Sequence, residues 1–207
     1  MSISANYNLS SIERNYCISK EQYKTSALSV ETLNTIKKIA LGAIVTVIEL
    51  PVIGFAYQTL IDLMSRLNLT AVATDQDVFQ IWNAFDYLPY RFISQAFKAA
   101  LLGYVVIGAP LIEEAIFRDK LQSSMKDWVS DPETTYNTVM RVFGNGFFFG
   151  AAHLSPFQGW ANVPIFFATF LMGCVYSALR EATGDITAST TAHMLHNGTA
   201  MLQFLLS

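Results

Sequence analysis

Charged side chains are scarce: Asp, Glu, Lys and Arg make up 14% of the 207 residues. An ordinary soluble domain carries about a quarter of its residues as charges, so that class is excluded. Cysteine is nearly absent. The two copies, Cys17 in a polar stretch and Cys174 in an apolar one, have no metal-ligand spacing, which argues against a disulfide framework or a thiolate metal site. Basic residues are not in excess either: 13 Lys and Arg stand against 16 Asp and Glu, for a net charge of −3. Nucleic acid is therefore not an expected partner, and no basic membrane anchor is present. Internal repeats and low-complexity tracts are lacking, and no early apolar core with a small-residue cleavage site predicts a signal peptide.

What the chain does have is apolar length. Hydrophobic residues reach 52% and mean hydropathy is +0.34, the composition of a multi-pass integral membrane protein. The predicted fold is all-α, a polytopic transmembrane bundle of about five spans around a polar intramembrane cavity. The expected spans lie near residues 39–63, 92–128, 138–154, 163–179 and from 186 to the C-terminus. Residues 1–35, rich in Ser, Asn and Tyr, read as a polar N-terminal segment ahead of a transmembrane domain over 36–207. Residues 65–92, with Asp75, Asp77, Asp86, Trp82, Tyr87 and Tyr90, read as a loop suited to the membrane interface. The second run exceeds what a bilayer requires and is expected to break or kink around Gly108-Ala109-Pro110. In the third, Gly146 and Gly150 form a small-xxx-small pattern that permits close helix contact. Lys and Arg cluster before the first span (Arg14, Lys20, Lys24, Lys37, Lys38), between the second and third (Arg118, Lys120, Lys126, Arg141) and after the fourth (Arg180). That asymmetry predicts a cytoplasmic N-terminus.

Ionisable groups inside such runs are costly and mark functional sites. The stretch Ala109 to Arg118 holds three of them. Read as a helix, it sets Glu114 and Arg118 at i,i+4 with the acid first, the favourable order for a pair. Glu113 lies about 100° around the helix and has no such partner. This predicts a division of labour: Glu114 with Arg118 for structural support, Glu113 for chemistry. Glu49, in the first span, reads as a polar group facing the bundle. His153 closes the third run after Phe149-Gly150-Ala151-Ala152. In the last run His193 and Asn197 share a face at i,i+4, whereas His196 is turned about 60° to the side. Depth permits these groups to meet, because the start of one helix of an antiparallel hairpin sits beside the end of the other; Glu113 and His153 are placed as neighbours.

Glu113-Glu114-x-x-x-Arg118, Phe149-x-x-x-His153 and His193-x-x-x-Asn197 resemble, in order and interval, the three motifs of the CPBP family. These are intramembrane proteases comprising type II CAAX prenyl endopeptidases and bacteriocin-processing or immunity proteins. The resemblance covers residues 105–200 and implies a glutamate-dependent endopeptidase acting on a prenylated or other peptide substrate. The chemistry can be argued beside it. Peptide hydrolysis needs an activated water and a stabilised oxyanion; Glu113 with His153 suits the first, His193 with Asn197 the second. No cofactor is expected. The alternative is a zinc ion held by Glu113, His153 and His193 with an open position, although the close-set His-Glu-x-x-His pairing is missing. A further alternative is a membrane binding or immunity protein that keeps the cluster as structure. The chain is short for the family, which leaves room for an outer wall supplied by an oligomer.

Overall fold

The computed structural model describes residues 9–67, 69, 77–88, 90–156 and 158–206, with side chains from residue 30 onward except those of 77–80. Residues 1–8 and Asp75 lie outside the described residues, as do the side chains of Arg14, Cys17, Lys20, Lys24 and Asp77. Two compact units are distinguished, Met1–Lys38 and Ile39–Ser207. The first is helical from Leu9 onward. The second holds every residue of the candidate site.

The described residues form helices α1 (Leu9–Arg66), α2 (Asp77–Ala84), α3 (Arg91–Asp127), α4 (Thr135–Ala152), α5 (Asn162–Thr183) and α6 (Thr187–Leu206), with no strand among them. Three helical stretches, Val30–Arg66, Arg91–Asp127 and Gly159–Thr183, are long and apolar enough to cross a membrane. The other two expected runs are helices as well, α4 and α6, but do not reach that apolarity. Their polar side chains, Arg141 and Asn145 in α4 and His193, His196 and Asn197 in α6, are the reason.

The second unit is polar within and apolar without. On α1 the buried positions among the described side chains are Gly42, Thr46, Glu49, Ile53 and Met64, a single stripe at helical spacing, whereas Val47, Ile48, Val52 and Phe55 are exposed. A Cβ at Gly42 would collide with the carbonyl of Ala188, so glycine lets α1 lie directly on α6. The Thr46 hydroxyl is 2.9 Å from Gly42 O and 3.3 Å from Ala192 O, satisfying itself and joining the two helices. Between α4 and α5 glycine again permits a close contact. A Cβ at Gly146 would lie 2.5 Å from Cys174 Sγ, and one at Gly150 3.0 Å from Phe166 O, so the small-residue pattern serves the contact expected of it.

Two expectations are corrected. The stretch 65–92 is not all loop: it contains α2 and a short 3₁₀ turn, Phe85–Tyr87. Its aromatic residues have partners, Trp82 edge-on to Phe204 at 6.2 Å and Phe85 stacked on Phe97 at 5.3 Å, while Asp86 pairs with Lys98 at 2.6 Å. Nor does α3 break at Gly108-Ala109-Pro110. A proline inside a helix lacks an N–H and crowds the carbonyl four residues back. Here the helix widens to a π register over Tyr104–Gly108, with the Ala109 N–H reaching back five residues to Tyr104 O. A second widened stretch follows at Ala115–Leu121. Glu113 and Glu114 sit in the ordinary α-helical turn between the two, a placement in keeping with the frequency of π-bulges at functional sites.

Candidate active site

The two glutamates of α3 diverge as their helical positions require. Glu114 and Arg118 are wholly enclosed, at 0% side-chain exposure, with Arg118 Nη1 3.5 Å from Glu114 Oε1. Arg118 Nη2 donates to Gly173 O at 3.2 Å, and its guanidinium carbon lies 4.4 Å from the centre of the Phe149 ring and 5.4 Å from that of Tyr176. A cation this deep needs such surroundings, because burying an unpaired charge is prohibitive.

Glu113 points the other way, with 28% of its side chain exposed. It lines a cavity of about 450 Å³ together with His153, His193, His196, Asn197 and Gln158. Its Oε2 lies 3.9 Å from His153 Nε2 and 3.7 Å from His193 Nε2. Both rings are held from behind. His153 Nδ1 is 2.8 Å from Phe149 O, the carbonyl one turn back at the end of α4. His193 Nδ1 is 3.2 Å from Glu114 Oε1, and the ring is stacked on Tyr176 at 4.9 Å with Phe149 edge-on at 5.7 Å. With each Nδ1 bonded to an acceptor, the Nδ1–H tautomer is assigned to both rings, and both Nε2 atoms face the Glu113 carboxylate.

Three of the four residues expected to be catalytic, Glu113, His153 and His193, thus meet around one carboxylate oxygen. The fourth, Asn197, lines the same cavity, but its Nδ2 donates to Val105 O at 3.0 Å. That bond has a local cause. In the widened register Ala109 N–H is used by Tyr104 O, and the next N–H in sequence would belong to Pro110, which has none. Asn197 satisfies the carbonyl left over and keeps a second N–H and its own carbonyl oxygen. His196 turns away from the cluster, its Nδ1 3.3 Å from Glu49 Oε1.

Sequence reasoning missed the layer behind these residues. Asn145 Nδ2 donates to Phe117 O, in the second widened stretch, and its Oδ1 accepts from Ser177 Oγ at 2.8 Å. Gln122 donates to Ser177 O and Glu181 Oε1 at 3.0 and 2.9 Å, and Arg141 pairs with Glu181 at 3.0 Å. A signal did exist: Arg141, Asn145 and Phe149 recur at i,i+4,i+8 on the face that ends in His153. Among the described residues no group of three or more His, Cys, Asp or Glu is arranged to hold a metal ion.

No curated protein and no solved structure matches the chain. A protein family does. Residues 94–199, which carry all three motifs and every cavity residue discussed above, match the family described as type II CAAX prenyl endopeptidase Rce1-like. That is the family group the motif resemblance implied, and its members are proteases. Together with the three apolar helices, the match makes this an integral membrane protein, and the chain belongs to the type II CAAX prenyl endopeptidase Rce1-like family.

Proposed function

We propose that this protein is an intramembrane endopeptidase in which Glu113 activates a water held between its carboxylate and His153. The observation that carries the reading is the convergence of His153 Nε2 and His193 Nε2 on Glu113 Oε2, at 3.9 and 3.7 Å. Those distances are too long for direct hydrogen bonds and suit a shared water. Glu113 takes the proton as the water attacks the peptide carbonyl and returns it to the leaving amine, with His153 orienting the water. The oxyanion falls to His193 and Asn197. With Nδ1 directed at Glu114, His193 donates to the oxyanion through Nε2 in its imidazolium form. Asn197 donates through the N–H that Val105 leaves free.

The substrate proposed is a prenylated CAAX-like or other apolar peptide, reached from the bilayer, and the catalysis is metal-free. The polar N-terminal segment lies on the cytoplasmic side; a cysteine placed near Lys126 should label from that side and one near Gln158 should not.

The test is purification in detergent, metal analysis, and cleavage of a peptide library with and without chelator. Cleavage that survives chelation and is lost in Glu113→Gln supports the reading. Zinc at one per chain, lost together with activity, would transfer the cluster to Lewis-acid catalysis. Absence of cleavage from every peptide would favour a binding or immunity role.

A further inference from the structure

A second cavity of about 510 Å³ lies beside the first, walled by α1, α5 and α6 through residues such as Leu50, Ile53, Tyr57 and Ala168. Both volumes are in the range of ligand pockets, about 300–1,000 Å³. Their characters differ. The first carries Glu113, His153, His193 and Asn197; the second is apolar apart from Tyr57, Thr169, His196 and Gln203. Five residues line both: Ile165, Thr169, Met172, His196 and Ala200. Thr169 adds no free polarity to that wall, since its hydroxyl donates to Ile165 O at 2.7 Å. His196 is therefore the one ionisable side chain on the partition. Its Nδ1 lies 3.3 Å from Oε1 of Glu49, which lines neither cavity and whose side chain is 1% exposed against 16% for His196. Neither the peptidase reading nor the family's motifs use this pair.

We propose that His196, fixed by Glu49, is a specificity-determining residue: it closes the polar cavity off from the apolar groove and limits how far an apolar side chain beside the scissile bond can extend. A buried carboxylate holds its partner firmly, because separating the two strands a charge in an apolar setting. Removing the imidazole should join the two spaces into one. The occupant of the groove is then the apolar flank of the substrate, continuous with the backbone bound at Glu113. The consequence for substrates rests on the peptidase reading; the partition itself does not.

The partition can be tested without turnover. The probe is a dodecyl alcohol carrying a diazirine, photolysed with the detergent-purified chain, with labelled residues mapped by mass spectrometry. Ile53 reports the groove and Met201 the polar cavity, and both are buried from the outside. In the unaltered protein Ile53 should be labelled and Met201 should not. In Glu49→Gln/His196→Ala, which removes the histidine without leaving its carboxylate charged, label should appear on Met201. Glu49→Gln alone, which frees the ring but keeps it, should give an intermediate yield and serves if the double variant does not fold. Met201 labelled already in the unaltered protein, Met201 unlabelled in both variants, or Ile53 unlabelled throughout would each overturn the partition. With turnover available, Glu49→Gln/His196→Ala should raise the ratio of kcat/KM for a peptide bearing a long alkyl side chain beside the bond to that for its alanine analogue, and an unchanged ratio would overturn the role in specificity. If the unaltered protein cleaves neither peptide, the peptidase reading fails while the labelling result stands.

Discussion

Glu113 and Glu114 are neighbours on one helix turn, yet they belong to two different regions. Glu114 lies in a sealed polar layer with Arg118, His193 Nδ1 and two aromatic faces, at 0% exposure; Glu113 opens on a cavity with its Oε2 turned to two imidazoles. The difference teaches what each region is for. A sealed charge gains nothing from chemistry and everything from complete pairing. On the proposed reading, the carboxylate at the cavity wall, beside imidazoles too distant to bond it directly, is the one that handles a proton. His193 belongs to both regions, one ring nitrogen in each, so the sealed layer sets the orientation of the open one.

The strongest test of that division is Glu113→Gln. The amide keeps shape and removes the base, so turnover should fall by about two to four orders of magnitude, with unaltered yield and melting temperature in detergent. Full activity in this variant would refute the division. Glu114→Gln and Arg118→Gln should act on the fold instead. Each leaves a buried charge without its partner, a loss of about 3–5 kcal/mol, read as a lower melting temperature and poor yield. Normal yield with complete loss of turnover would exchange the roles of the two glutamates.

Much of this arrangement is legible in the sequence, for a physical reason: an ionisable group in an apolar run has few tolerable positions, so Glu113, Glu114, Arg118, His153 and His193 announce themselves, and helix depth brings them together. The resemblance to a protease family rests on the same residues. Other features depend on distant partners. That α3 runs on through Pro110 follows from a widened register whose leftover carbonyl is met by Asn197, from another helix. The Glu49 and His196 pair joins α1 to α6, and neither residue's local sequence names the other. Among the described residues three helices are apolar enough to cross alone, and α4 and α6, the other two expected runs, carry polar side chains that are held against neighbouring helices.

Asn197 stands at the border of the two regions and can be assigned by experiment. As an oxyanion donor its loss in Asn197→Ala should lower turnover by about two to three orders of magnitude. As the partner of Val105 O alone, its loss should lower stability by about 1–3 kcal/mol and spare turnover in the folded fraction. We expect both losses, in turnover per folded molecule and in stability. The His193→Ala/Asn197→Ala double variant should lose less than the product of the single losses, because the two would serve one oxygen.

The smallest effect expected is at Asn145, which bonds a carbonyl of the second widened stretch but faces no cavity. Its Nδ2 holds Phe117 O and its Oδ1 accepts from Ser177, at 0% exposure. Phe117 O also receives the Gln122 N–H within the helix, so the carbonyl keeps one bond when Asn145 is removed. Ser177 Oγ does not. Asn145→Ala should therefore lower stability by about 1–2 kcal/mol, the scale of a buried hydroxyl left unpaired, seen as a shift in melting temperature. Turnover per folded molecule should stay close to that of the unaltered chain, since Glu113 and the two imidazoles touch none of the bonds lost. A large loss of turnover with little change in melting temperature would mean that the widened stretch at Ala115–Leu121 sets the direction of Glu113. The sealed layer would then be part of the catalytic geometry rather than its support.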